Sequence, residues 1–124
     1  IKDVNSRKTI ADVPHSYQSV QGGMAMDLFL ENLMKQSSVC FDTETTSINP
    51  LEAELVGIAF SWAAGKGFYV PFPEGKNDAM PLIEKLRPFF ESEKIQKLGH
   101  NLHYDLTEMH NDDVEVTGRL LHTS

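Results

Sequence analysis

Asp42 and Glu44, inside the stretch SVCFDTETTS of residues 38 to 47, are carboxylates two positions apart at the end of an apolar run. On a strand, side chains two apart share a face, so this pair projects together while Phe41 and Thr43 turn the other way. Converging carboxylate oxygens are the donors that a hard cation such as Mg²⁺ takes, with water filling the remaining positions. With no cation between them the two charges repel, which is the physical hint of a missing positive charge. The plain alternative is a pair of surface acids at a strand end. Spacing does not decide between these readings, because Asp113 and Glu115 repeat the same D-x-E. That second copy follows the polar HND and reads as solvated surface. The first copy differs in its setting, with an apolar strand before it and a Thr-rich turn after it.

A third carboxylate stands elsewhere in the chain. In NLHYDLTEMHND, Asn101 and Asp105 are four apart on a candidate helix and share a face beside Leu102, Leu106 and Met109. A helix packed on the sheet would aim Asp105 at the end of the strand that carries Asp42. Equally, Asn101 would simply cap the helix and Asp105 would be a first-turn acid favoured by the helix dipole. Both readings stay open on periodicity alone. His100, His103 and His110 lie nearby, but no cysteine or repeated His/Glu pattern at zinc spacing accompanies them. The chain has no G-x-S-x-G, no P-loop and no G-x-G-x-x-G, so acyl transfer and phosphate-cradling chemistry have no support.

The elements that must position these residues follow from hydrophobic patterning. Residues 1 to 14 lack any period and stop at Pro14, which reads as a linker or tail before a domain over 15 to 124. SYQSV suggests a short strand. Met26, Phe29, Leu30, Leu33 and Met34 have the spacing of one buried helix face. SVCF is a short apolar strand of the kind covered on both faces. AELVGIAFSW and GFYVPF follow as strands joined through AAGK, a Gly-containing hairpin connection. A second helix carries Ala79, Leu82, Ile83, Leu86, Phe89 and Phe90, with Asp78 as its N-cap and Pro81 in its first turn. Pro88 predicts a kink or restart near Arg87. KIQKLGH reads as another strand, then the helix around Asp105, and VEVTG closes the visible sheet. The sum is an α/β fold: three sequential antiparallel strands, then alternating helix and strand, in a mixed sheet flanked by helices.

The 124 residues fit one domain with a single core. Net charge is −7, and residues 38 to 124 hold all of the excess, with fourteen acids against seven bases. A domain gripping nucleic acid through its phosphates alone carries the opposite sign, so any such contact must run through metal ions or a neighbouring domain. The single Cys40 sits in an apolar run and reads as a small buried hydrophobe in a reducing compartment. No apolar run reaches membrane-spanning length and no signal-peptide pattern opens the chain, so the expectation is a soluble, cytoplasmic domain with no membrane partner. Nothing in the sequence points to one oligomeric state.

Taken in order, VCFDTETTS, LEAELVGIAFSW, FYVPF and KLGHNLHYDL resemble the 3′ to 5′ proofreading exonuclease domain of bacterial DNA polymerase I, a DEDD exonuclease with a ribonuclease H-like fold. The resemblance runs from about Tyr17 to the C-terminus. It implies that Asp42, Glu44 and Asp105 bind two divalent cations, Mg²⁺ or Mn²⁺, for phosphodiester hydrolysis at a single-stranded DNA 3′ end. It further implies substrate contacts at Thr43, Ile48, His100, Asn101 and Tyr104, with Ile48, usually leucine, wedged against the terminal base. A polymerase domain of the same parent chain is the implied partner. His100 and His103 stand where the family commonly has Gln and Lys, and LHT with His122 where it usually has FDT. The family's third motif, Tyr or His with Asp some four residues later, would lie beyond Ser124, so the expectation is a truncated, weakly active or inactive fragment. An RNA 3′-end exonuclease of the ribonuclease D branch, or a non-catalytic module of a polymerase, are the alternatives.

Overall fold

The computed structural model describes residues 16–49 and 51–123. The expected tail over 1 to 14 lies outside the described residues. Nine elements follow one another: β1 (Ser16–Ser19), α1 (Gly23–Leu33), β2 (Ser38–Thr45), β3 (Leu55–Ala63), β4 (Lys66–Pro71), α2 (Lys76–Phe90), β5 (Gln96–Gly99), α3 (Leu102–Asn111) and β6 (Leu120–His122). The strands form one sheet in the order β1-β4-β3-β2-β5-β6. β2, β3 and β4 are sequential antiparallel neighbours, while β5 joins β2 and β6 joins β5 in parallel, each after a crossover. β1 forms the other edge and pairs in parallel with β4. This is the mixed sheet flanked by helices that the patterning predicts.

Register explains how the core forms. Phe41 pairs with Phe60 and Phe60 with Phe68, so three phenylalanines line one face across three strands. Phe29 of α1 packs edge-on to Phe60 at 5.2 Å between ring centroids, and Phe90 of α2 packs on Phe41 at 5.1 Å. Phe60, Phe89 and Phe90 have no exposed surface.

Several expectations are corrected. β2 does not stop at Phe41: it continues through both carboxylates, and its burial alternates because Val39, Phe41 and Thr43 are buried while Cys40, Asp42 and Glu44 are half-buried. SVCF is therefore not covered on both faces, and Cys40 is not fully buried. α2 begins at Lys76 with Gly75 as its N-cap, which puts Asp78 inside the first turn and Pro81 in the helix interior. Nor does Pro88 interrupt α2, since the burial of Phe89 and Phe90 holds the last turn onto the sheet. VEVTG is not a strand: Gly118, at φ 92°, turns the chain, and pairing with β5 begins only at Leu120.

β5 also carries a fully buried lysine. Lys97 donates from Nζ to the carbonyls of Ser92 and Thr117, and lies 5.3 Å from the centroid of the Phe89 ring. Burial lowers its pKa to about 8.

Candidate active site at the end of β2

Asp42 and Glu44 occupy the face of β2 opposite the phenylalanines, as the period of two requires. Asp42 pairs with Ala59 and Ala59 with Tyr69, so Tyr69 shares that face. Tyr17 pairs with Gly67 on the same face, two residues along β4 from Tyr69. Both rings lie over glycines: a Cβ on Gly67 would meet Tyr17 Cε2 at 2.7 Å, and one on Gly57 would meet the Tyr69 hydroxyl at 2.1 Å. Burial, then the charges of Asp42, Cys40 and Glu44, raise the Tyr17 pKa; burial, then Glu44, raise that of Tyr69. Sequence reasoning missed these tyrosines. The signal was available in the glycines, since an aromatic ring often covers a glycine on a neighbouring strand.

Asp105 reaches the site from α3. Pairing of β5 with β2 ends at Leu98 and Cys40, which leaves the edge of β2 beyond that point open to other partners. Asp105 Oδ1 takes the place of a strand there, accepting hydrogen bonds from Thr43 Oγ1 at 2.6 Å and from Thr43 N at 3.3 Å. The residue is 1% exposed, so it is no ordinary first-turn acid. Asn101 is the N-cap of α3 but makes no side-chain capping bond. Burial dominates the shift that takes the Asp105 pKa to about 7; the Thr43 bonds oppose it and the charges of Asp42 and Glu44 add to it. Its second oxygen, Oδ2, is buried without a hydrogen-bond partner.

The remaining candidates are distributed around this point. Thr43 is 7% exposed, and its hydroxyl donates to Asp105 Oδ1, so its side chain holds the third carboxylate. Tyr104 donates its hydroxyl to the Ser47 carbonyl at 2.6 Å and meets Thr45 Oγ1 at 2.5 Å, which fastens α3 to the turn after β2. Ile48 follows that turn at 93% exposure, open to a partner. Asn101 is exposed and His100 half-buried; the His100 carbonyl meets His122 Nε2 at 2.5 Å. The second D-x-E is at the surface, where Glu115 meets His110 Nδ1 at 2.7 Å.

Three carboxylates thus converge on one end of β2, and their hard oxygen donors, with the orphaned Asp105 Oδ2, suit a divalent cation. Among the described residues, however, no three His, Cys, Asp or Glu side chains are gathered closely enough to hold a metal ion as they stand. Asp105 Oδ1 is committed to Thr43, which leaves Oδ2 as its oxygen without a partner.

A mixed sheet with Asp42 and Glu44 on β2 and Asp105 on α3, taken with the family match, places the chain among ribonuclease H-like exonuclease domains of the DEDD type. The 3′-5′ exonuclease family profile matches residues 17–123, and the chain belongs to that family. It is 31% identical over 110 residues to DNA polymerase I of Pseudomonas aeruginosa, which covers 83% of this chain and 12% of the relative. The chain therefore spans about an eighth of that relative's length. Among solved structures it is similar to Trypanosoma brucei RNase D, with TM-score 0.71 and 15% identity over 92% of this chain and 39% of the other. It is also similar to Brucella melitensis NrnC with bound Mg²⁺, at TM-score 0.58 and 19% identity over 85% of this chain and 46% of that one. No helix among the described residues is long and apolar enough to cross a membrane.

Proposed function

We propose that this chain carries the two-metal portion of an exonuclease that removes nucleotides from single-stranded 3′ ends, with Asp42, Glu44 and Asp105 as the cation-binding carboxylates. The observation that carries this reading is Asp105, buried on a separate helix, bonded to the strand between Asp42 and Glu44, and left with one free oxygen. When bound, two Mg²⁺ or Mn²⁺ ions would lower the pKa of the attacking water and stabilise the in-line transition state. Water oxygen bonds to phosphorus and the bond to the 3′ oxygen breaks, releasing a nucleoside monophosphate and a shortened strand.

The chain's own residues orient that reaction. Glu44 would turn the water toward phosphorus, Thr43 fixes Asp105, and Tyr104 holds the turn that presents Ile48 to the terminal base. Asn101 and His100, at the start of α3, would contact the single strand.

Bacterial relatives named DNA polymerase I support DNA as the substrate, beside a polymerase domain of the same parent protein, where the activity would proofread. The backbone likeness to RNase D supports RNA instead, and the solved structures weigh toward that second reading. Matched DNA and RNA oligonucleotides labelled at the 5′ end, offered with Mn²⁺ to the protein that contains this chain, separate the two by which is shortened. Calorimetry with Mn²⁺ tests the site itself: Asp42→Ala is expected to weaken binding and turnover at least about tenfold, the equivalent of ~1.4 kcal/mol. Equal Mn²⁺ binding by wild type and variant would overturn the assignment, and no binding by either would favour a non-catalytic module.

A further inference from the structure

We propose that Tyr69 is a positioning residue for Glu44: its hydroxyl, laid over Gly57, donates a hydrogen bond to the Glu44 carboxylate and fixes the direction in which that carboxylate meets a cation. The use of this contact rests on the nuclease reading above, whereas the contact itself does not.

The placement follows from the register of three strands. On the open face of the sheet, Glu44 of β2 stands opposite Gly57 of β3, and Gly57 opposite Pro71 of β4. Two residues along, Asp42 stands opposite Ala59 and Ala59 opposite Tyr69. At these positions β3 therefore raises no more than a methyl group between the carboxylates and β4, and a long side chain from β4 can cross it. Tyr69 crosses on the diagonal, with its hydroxyl 2.1 Å and its Cζ 2.3 Å from where a Cβ on Gly57 would be. Directly opposed residues of an antiparallel pair hold their Cβ atoms about 4.5–5.5 Å apart. The hydroxyl thus lies roughly 5 Å from Glu44 Cβ, and the carboxylate, two bonds further out, comes within its reach.

Covering a glycine takes only a ring, and a phenylalanine would do it as well. The hydroxyl adds a donor that packing alone does not need, and a phenol keeps its proton at neutral pH, so it meets a carboxylate as donor. Two further observations point to Glu44. Its Oε2 is buried although the residue lies on the open face. After burial, the charge that raises the Tyr69 pKa is that of Glu44. A glutamate side chain is long and free to turn; with one oxygen held by the phenol, the other is presented to a cation in a fixed direction.

Carbon-13 spectra of the side-chain carboxyls in the metal-free 124-residue chain test the contact, with the Glu44 resonance identified by its absence in Glu44→Gln. Tyr69→Phe keeps the ring and removes the donor, whereas Gly57→Ala keeps the donor and drives the ring aside. Both are expected to shift the Glu44 resonance in the same direction and to leave that of Asp105, held by Thr43, in place. Thermal melting confirms that each variant folds; if Gly57→Ala melts early, Tyr69→Phe decides alone, because it leaves the ring packing intact. Calorimetry with Mn²⁺ reads the consequence, and Tyr69→Phe is expected to weaken binding about tenfold. A Glu44 resonance unmoved by Tyr69→Phe shows that the ring is packing alone and overturns the proposal. A shifted resonance with equal Mn²⁺ affinity in Tyr69→Phe and wild type overturns the positioning role. If wild type itself binds no Mn²⁺, the nuclease reading and the positioning role fail together, while the shifted resonance still establishes the contact.

Discussion

Asp105 holds its proton more tightly in the fold than in the unfolded chain, and the sign of that difference sets how stability responds to pH. With the folded pKa raised to about 7 from an ordinary 3.8, the folded state binds more protons between those values. Stability from this group is therefore present at low pH and falls as pH rises through that window. Asp105→Asn keeps an oxygen for the Thr43 bonds and removes the cost of ionising a buried acid. It is expected to stabilise the metal-free chain by roughly 1–3 kcal/mol at pH 8, by less at pH 5 and by little near pH 4, read from urea midpoints. The same variant should lose stabilisation by Mn²⁺; identical pH slopes in both proteins would refute the account. The shared face of Asp42 and Glu44 was legible because a period of two is local, whereas periodicity alone left Asp105 open between a third carboxylate and a first-turn acid. The sequence did not reveal that Thr43 secures Asp105, since that bond joins residues 62 apart and depends on where β5 stops.

α2 shows where local rules yield to packing. Pro81 and Pro88 both lie inside the helix, which nevertheless runs unbroken from Lys76 to Phe90. Proline in a helix interior costs about 3 kcal/mol by loss of a hydrogen bond and steric clash, so the burial of Phe89 and Phe90 must supply the compensation. Phe90→Ala opens a cavity between Phe41, Phe60 and Phe89 and is expected to cost about 3–5 kcal/mol in urea unfolding, with the last turn of α2 exchanging its amides fastest. A loss below about 1 kcal/mol would mean that something other than this aromatic contact holds the helix end. The strand and helix order was legible because apolar periods were long. VEVTG was misread because a short β-rich run resembles a strand until the turn at Gly118, a tertiary matter, places the pairing two residues beyond it.

Across the whole molecule, one sheet separates two environments. Its aromatic face meets α1 and α2, and its other face carries Asp42 and Glu44 flanked by Tyr17 and Tyr69. The alternation in β2 creates both faces from one strand, which is why the carboxylates keep water access beside a packed core. Glu108 gave no sign of its burial in the sequence, because a charged helix residue ordinarily faces water and only tertiary packing encloses it. Lys97 gives this architecture a built-in clock. With its amine enclosed by Ser92, Thr117 and Phe89, an acylating reagent reaches it only when the sheet edge parts. Its labelling, followed by mass spectrometry beside the exposed Lys94, is expected to be far slower and to accelerate in step with denaturant. Labelling of Lys97 as fast as Lys94 in native buffer would show that this edge opens on its own. The residue that joins two loops in the folded chain thus records, as a covalent mark, each occasion on which they let go.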